Sequence, residues 1–429
     1  MPSPKQVRFR LSVLLLIGAG LWGCNHQGTE VSPQPAPPQA TATRAAPVYE
    51  QYNGSPTDVM LQGFHWESCN YPWYKIVKDN AQVIKDAGFT VVWFPPPTRT
   101  ADDHGYLPTA WYNLNTKYGT QDELKNVIQA LRPVLAVADV VINHRCGTAT
   151  AGVDFTNPSF ADNAAAVVQN DESGAGRGTG DSGDGFDGGR DLDHSDPSVQ
   201  TEIVKWLNWL KTDIGFAGWR YDLVKGYDGK YVGQYNDETK PTISVGEYWD
   251  YDRQKVVNWV DATKGRSMAF DFPTREQLRQ ALANQDFVRL KTVDGKPTGV
   301  IGWWPAMSVT FVDNHDSEPM RNREPFPADK VLQGYAYVLT HPGVPCVFWR
   351  HYFDWGEPQK QKLNTMIGIR KQSGINSRSV VNIVAADGQK YAAIVDGKVA
   401  MKIGPGSWSP GAGWHVATDG NDFAVWLRD

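Results

Sequence analysis

Cysteine is scarce in this 429-residue chain, with only Cys24, Cys69, Cys146 and Cys346. With Cys24 assigned to the N-terminal segment described below, three scattered cysteines remain. An odd number without close spacing argues against both a disulfide framework and a zinc ribbon. They read as buried thiols, with one pairing left open. Positive charge is lacking as well: 42 Lys and Arg face 47 Asp and Glu, a formal net charge of -5, and no extended Lys/Arg run follows residue 10. The electrostatic footprint of a nucleic-acid binder is therefore missing, and a neutral or polar partner fits better. The apolar run from Leu11 to Leu21 is too short to span a bilayer as a helix.

That run instead follows Lys5, Arg8 and Arg10 and ends in Trp22-Gly23-Cys24, the layout of an export signal over residues 1–24. A small residue followed by cysteine resembles the bacterial lipoprotein signal, in which Cys24 becomes the lipidated N-terminus; Trp22 departs from it, and simple secretion is the alternative. Either places the mature protein outside the cytoplasm, and only the lipidated form would touch a membrane, through its N-terminal anchor. Residues 25–47 are rich in Pro, Gln, Thr and Ala, bury too little to fold, and read as a tether. The 17 Trp and 17 Tyr can serve as core filler or as flat platforms for apolar ligand faces.

From residue 58 onward, short apolar runs alternate with helix-periodic segments, the pattern of βα units. Eight strands are predicted, over 59–64, 90–94, 136–142, 218–221, 242–245, 268–270, 308–312 and 344–348. Helical stretches such as 74–86, 121–131, 198–213 and 328–340 fall between them. A (β/α)8 TIM barrel over 48–374 is the economical reading. The interval after the third strand exceeds fifty residues, too long for a structureless loop, so 144–197 reads as a small inserted subdomain. Alternating runs separated by Asp-Gly or Gly-rich turns predict a C-terminal antiparallel β-domain over 375–429.

Four clusters fall at predicted strand ends: Asp139-Val-Val-Ile-Asn143-His144, Gly218-Trp219-Arg220-Tyr221-Asp222, Val245-Gly246-Glu247-Tyr248-Trp249-Asp250, and Thr310-Phe311-Val312-Asp313-Asn314-His315-Asp316. Acids, histidines and an arginine at apolar strand ends are how a parallel barrel builds a catalytic surface. In this order they resemble the four motif regions of the α-amylase family of glycoside hydrolases. Further segments, among them Leu61-Gln-Gly-Phe-His-Trp-Glu67, Gly105-Tyr-Leu-Pro108, Asn143-His-Arg-Cys146, Gly299-Val-Ile-Gly-Trp-Trp-Pro-Ala306 and Gly420-Asn-Asp-Phe-Ala-Val-Trp426, are similar to its plant-type branch.

The resemblance implies endo-acting, retaining hydrolysis of α-1,4-glucosidic bonds in starch-like polymers. Such cleavage needs two carboxyl groups, and it implies Asp222 as nucleophile, Glu247 as acid/base and Asp316 as the acid holding sugar hydroxyls. Arg220, two residues before Asp222, points to the same side of its strand. Tyr106, His144, His315, Trp249 and Lys225 match substrate contacts, and the Trp303-Trp304 pair reads either as core or as a surface platform for the polymer. Calcium is the implied cofactor, held by Asn143, Asp181 and Asp191 with backbone oxygens of Asp184 and Gly226; Asp171, Asp187 and Asp196 read as a solvated loop. Lys225, Tyr221 and Arg350 depart from the family pattern. Gly178-Thr-Gly-Asp-Ser-Gly183 fits a dinucleotide-binding string, but no strand precedes it and no helix opens on it. A monomer is expected. The rivals are a maltooligosaccharide-forming or glucan-transferring member of the family and a non-catalytic glycan-binding surface lipoprotein.

Overall fold

A computed structural model describes residues 51–148, 152–321 and 323–429; the export signal, Cys24 and the tether lie outside them. Eight parallel strands close a barrel: β1 (Met60–Gln62), β2 (Val91–Phe94), β3 (Leu135–Val140), β4 (Gly218–Tyr221), β5 (Ile243–Gly246), β6 (Met268–Phe270), β7 (Ser308–Phe311) and β8 (Val344–Phe348). Nearly every strand residue is buried, as both faces of a parallel sheet must be when side chains fill its inside and helices cover its outside. That double burial is why these strands read as unbroken apolar runs. The ring is continuous from Met60 against Val91 on one side to Met60 against Cys346 on the other.

The surrounding helices start on side chains that satisfy their first free N–H groups. Thr120 and Glu123 form a capping box on α3 (Gln121–Leu131). Asp196 caps α4 (Pro197–Trp209), with proline in its first turn. The periodicity predicts one helix over 74–86, whereas the chain makes two, α1 (Trp73–Asp79) and α2 (Ala81–Ala87), with Asn80 between them. The Asn80 amide donates to the Ile76 carbonyl at 2.9 Å, the side-chain competition with the helix ladder that favours a break.

Between β3 and α4 the chain forms a small layer beside the barrel, pinned by a two-stranded ladder of His144–Arg145 with Arg190–Asp191. The glycine string at 178–183 is loop throughout, so it lacks the strand and helix a dinucleotide site needs. After the last barrel helix (Glu357–Ser373) comes a five-stranded antiparallel sheet. It docks on the barrel through buried polar contacts, His341 Nε2 with the Tyr391 hydroxyl at 2.8 Å and Gly404 N–H to Gln333 Oε1 at 3.2 Å. Cys69, Cys146 and Cys346 are free and buried.

Candidate active site

The strand register assembles the site. Tyr221 pairs with Gly246 across β4 and β5, so the next residues, Asp222 and Glu247, emerge side by side at the C-terminal rim, with Glu247 N–H bonded to the Tyr221 carbonyl at 2.9 Å. Asp139 pairs with Arg220 across β3 and β4. A cleft of about 240 Å³ opens there, and Tyr106, His144, Asp222, Lys225, Glu247, Trp249 and Asp316 all line it.

Arg220 is wholly buried and serves three carboxylates. Its Nη1 donates to Asp139 Oδ1 and Asp222 Oδ1, each at 2.7 Å. Its Nη2 stands 2.8 Å from Glu247 Oε1 as an ion pair, without hydrogen-bond alignment, since that oxygen has no bonded partner. Burial opposes the Arg220 charge, but Asp139, Glu247 and Asp222 outweigh it and hold its pKa well above the ordinary value. Glu247 shows the converse: burial foremost, against the pull of Arg220 and with Asp222, Asp316 and Asp139 adding to it, pushes its carboxyl well above the usual carboxylate range. Two neighbouring carboxyls in such different settings are what acid/base chemistry at neutral pH requires. Burial likewise raises Asp139 to about 7, although Arg220 opposes it.

A hydrogen-bond chain fixes the floor. The Tyr106 hydroxyl donates to Asp139 Oδ2 at 3.1 Å and meets His315 Nε2 at 2.7 Å; Gln62 Nε2 meets His315 Nδ1 at 3.0 Å. The tyrosine has one proton, already given to Asp139, so His315 Nε2 carries the hydrogen and Nδ1 accepts from Gln62. Burial drops the His315 pKa to about 4, and the ring is neutral. His315 therefore supports Tyr106 from behind with both nitrogens engaged, rather than offering a free sugar donor. His144 Nε2 donates to the Tyr106 carbonyl at 2.7 Å.

The tryptophan pair lies elsewhere. Trp304 is buried in the core and offers no platform; Trp303 is half-buried, with the Arg253 guanidinium 3.4 Å from its ring centre. Lys225 bridges Asp250 at 3.3 Å and Asp184 at 3.9 Å. Residues the sequence reading gave no role also belong here: Asp139, Trp66, Phe186, Arg321 and Arg323. Asp139 had a signal, its place four residues before Asn143 in the third-strand cluster, and Trp66 had one in the segment 61–67; Phe186, Arg321 and Arg323 had none.

Beside the cleft, Asn143 Oδ1 and Asp181 Oδ2 are buried oxygens without a hydrogen-bond partner among the described residues. A Cβ on Gly226 would lie 2.0 Å from Asn143 Oδ1, so only glycine lets that backbone come so close. The Asp184 N–H bonds the Lys225 carbonyl at 2.8 Å, folding the Asp184 loop against the same spot. Asp191 accepts from Asn143 Nδ2 at 3.0 Å and from Phe186 N–H at 2.9 Å. Its carboxyl is pushed up to about 7 by burial first, with Asp181, Glu172 and Asp171 adding to the shift. Orphaned hard oxygens around a destabilised carboxylate fit a cation. Asp171, Glu172 and Asp191 also present oxygens within 4.8 Å of one another. Asp171 is thus no solvated loop residue: it is buried and paired with Arg190. Asp196 caps α4, and Asp187 is exposed.

Two family profiles match the chain, "Alpha amylase, catalytic domain" over residues 75–157 and "Alpha-amylase C-terminal beta-sheet domain" over residues 372–427. A probable alpha-amylase 2 of Arabidopsis thaliana is 40% identical over 392 residues, covering 86% of this chain and 94% of that protein. A glucan 1,4-alpha-maltotetraohydrolase of Stutzerimonas stutzeri is 29% identical over 394 residues, covering 81% of this chain and 68% of that one. The solved structure of an alpha-amylase from Malbranchea cinnamomea superposes with a TM-score of 0.63 at 19% identity, over 82% of this chain and 85% of that one, a likeness of fold.

Proposed function

The chain belongs to the α-amylase family of glycoside hydrolases, and from that premise we propose that it is an endo-acting, retaining hydrolase of α-1,4-glucosidic bonds in starch-like polymers. The observation that carries the proposal is the pairing of Asp222 and Glu247 on one buried arginine, with Asp316 facing the same cleft. In this reading Asp222 attacks the anomeric carbon while Glu247, kept protonated by its burial, gives its proton to the leaving oxygen. Glu247 then takes a proton from water as that water releases the sugar from Asp222. Asp316 accepts hydroxyls of the sugar in the transition state, and Tyr106 lies under its ring with its hydroxyl fixed on Asp139. Trp249 and Lys225 flank the leaving-group side.

The test is a time course of the exported chain on soluble starch, following reducing ends and product lengths. Early release of mixed-length oligosaccharides is the expected result. A single product length from the start would replace the endo reading with an oligosaccharide-forming one, and longer chains would replace it with transfer. No turnover by folded protein would leave a glycan-binding lipoprotein.

Calcium is proposed for the Asn143, Asp181 and Asp191 oxygens, with the Asp184 and Gly226 backbone completing the shell; bound there, it ties the inserted layer to the barrel rim. An ion held only by the folded chain stabilises it by about 4 kcal/mol at a free concentration a thousand times its Kd. EDTA is therefore expected to lower the melting temperature by several degrees, and added calcium to restore it. An unchanged melting curve would remove the ion from this site. Export, with or without lipidation at Cys24, is proposed on the N-terminal signal alone.

A further inference from the structure

The loop after β7 carries Asp316 and adds Arg321 and Arg323 to the lining of the cleft. Near one end, Arg350 bonds Glu318 through Nε and Glu67 through Nη2, the latter at 2.7 Å, and Glu318 accepts the Trp66 N–H at 2.9 Å. At the other end Arg275 donates to the Glu324 carbonyl at 2.7 Å, and the Tyr251 hydroxyl bonds the Glu324 carboxylate. The departure at Arg350 thus has a structural partner in Glu318, at the start of the segment that leads to Arg321.

On this strap, Arg321 sits with its guanidinium carbon 3.5 Å from the Trp66 ring centre. His104 stacks on the same indole at 3.8 Å and 18°. Two groups so close to one ring centre must occupy opposite faces, so neither face of Trp66 is left for a sugar. What the cleft meets on that wall is the arginine. Among the described residues its only side-chain hydrogen-bond acceptor is Asp316 Oδ1, 3.5 Å from Nη2, and its Nε–H has none. Arg323 Nη1 stands 3.6 Å from the same oxygen. These distances are at the outer limit of hydrogen bonding, so the Arg321 Nη groups keep spare donors next to Asp316, whose Oδ2 stands 3.3 Å from His315 Nε2. Trp66 follows β1 and Glu247 follows β5, which are diametrically opposite in the ring. If Glu247 protonates the leaving oxygen, the Arg321 wall borders the retained sugar.

Resting on the α-glucan reading above, we propose that Arg321 is a sugar-contacting, specificity-determining residue: seated on Trp66, its guanidinium donates to hydroxyls of the retained glucose units beside Asp316 and helps set the length of the products released. The planar group satisfies two neighbouring hydroxyls as an ammonium cannot.

The test compares the wild-type chain with Arg321→Ala and Arg321→Lys on maltoheptaose and soluble starch, with kcat, KM, product lengths and melting temperature measured for each. Arg321→Ala is expected to raise KM about tenfold, the worth of one charge-assisted hydrogen bond, to leave kcat within a few-fold, and to shift the product distribution at an unchanged melting temperature. Arg321→Lys is expected to keep the shifted pattern. Unchanged KM and products would overturn the proposal. So would a collapse of kcat at constant KM, because Arg321 would then act through Asp316 and not on the sugar. If Arg321→Ala proves unstable, Arg321→Gln, which keeps a planar amide over Trp66, carries the same comparison. Absence of wild-type starch turnover would sink the α-glucan reading, a failure separate from an unaltered product pattern in an active variant.

Discussion

Glu247→Gln is expected to lower kcat on starch about a thousandfold, within the range of roughly 10² to 10⁴ that general acid–base groups contribute, while binding of the polymer survives. The amide keeps the shape that accepts the Leu223 N–H at 3.3 Å and fits beside Arg220, but it cannot give up a proton. An aryl glycoside with a good leaving group needs little protonation, so its first cleavage should lose far less than starch. Asp222→Asn, which replaces the attacking carboxylate with a neutral, non-nucleophilic amide, should fail on both substrates. Near-normal starch turnover by either variant would sink the assignment.

The pH profile carries the same assignment in another form. Burial, opposed by Arg220 and reinforced by the Asp222, Asp316 and Asp139 charges, raises the Glu247 pKa. As the proton donor it works while protonated, so kcat/KM should fall as pH rises through that elevated value, on a limb displaced upward from the ordinary carboxylate range. In Glu247→Gln the alkaline limb should vanish from the residual activity, because the group that titrates there is gone.

How much of this was legible in the sequence depends on how local each feature is. The barrel strands were readable to within two residues at each end because a strand buried on both faces tolerates little but apolar residues. That Asp222, Glu247 and Asp316 line the cleft was readable because the first two directly follow such runs and the third lies in the loop just beyond one. The part played by Asp139 was not, since it exists only through the β3–β4 register that sets Asp139 opposite Arg220. The Trp303-Trp304 pair stayed open between core and platform for a related reason: an aromatic pair carries no local mark of which ring turns inward. His315 was found, but its two occupied nitrogens come from Gln62 and Tyr106, 253 and 209 residues away in the chain. Arg350 interrupts the family pattern and Arg321 carries no mark in the sequence, and each acquires meaning only when its partner, Glu318 or Trp66, is seen beside it.

The largest effect on stability is expected at Arg220, which no sugar needs to touch. Arg220→Met keeps a long side chain against Trp93, where the guanidinium carbon lies 4.9 Å from the ring centre, but strips three buried acids of their common cation. Removing one partner of a buried ion pair costs about 3–5 kcal/mol, and among the described residues Asp139 keeps just the Tyr106 and Trp93 donors. The folded variant can recover part of that loss by protonating Asp139, which burial already raises to about 7 with the arginine present. Its folded pKa lies above the unfolded value, so the folded state binds the extra proton, and stability falls as pH rises from about 4 through the folded pKa. In the variant this pKa climbs further and the fall extends to higher pH. The gap in melting temperature between wild type and Arg220→Met should accordingly be widest above neutrality and narrow towards pH 5. Arg220→Lys restores a charge but not the fork that reaches Asp139, Asp222 and Glu247 together. It should regain part of the stability and little of the activity. A pH-independent gap, or full activity in the lysine variant, would show that the three-carboxylate arrangement on Arg220 is not what holds this site.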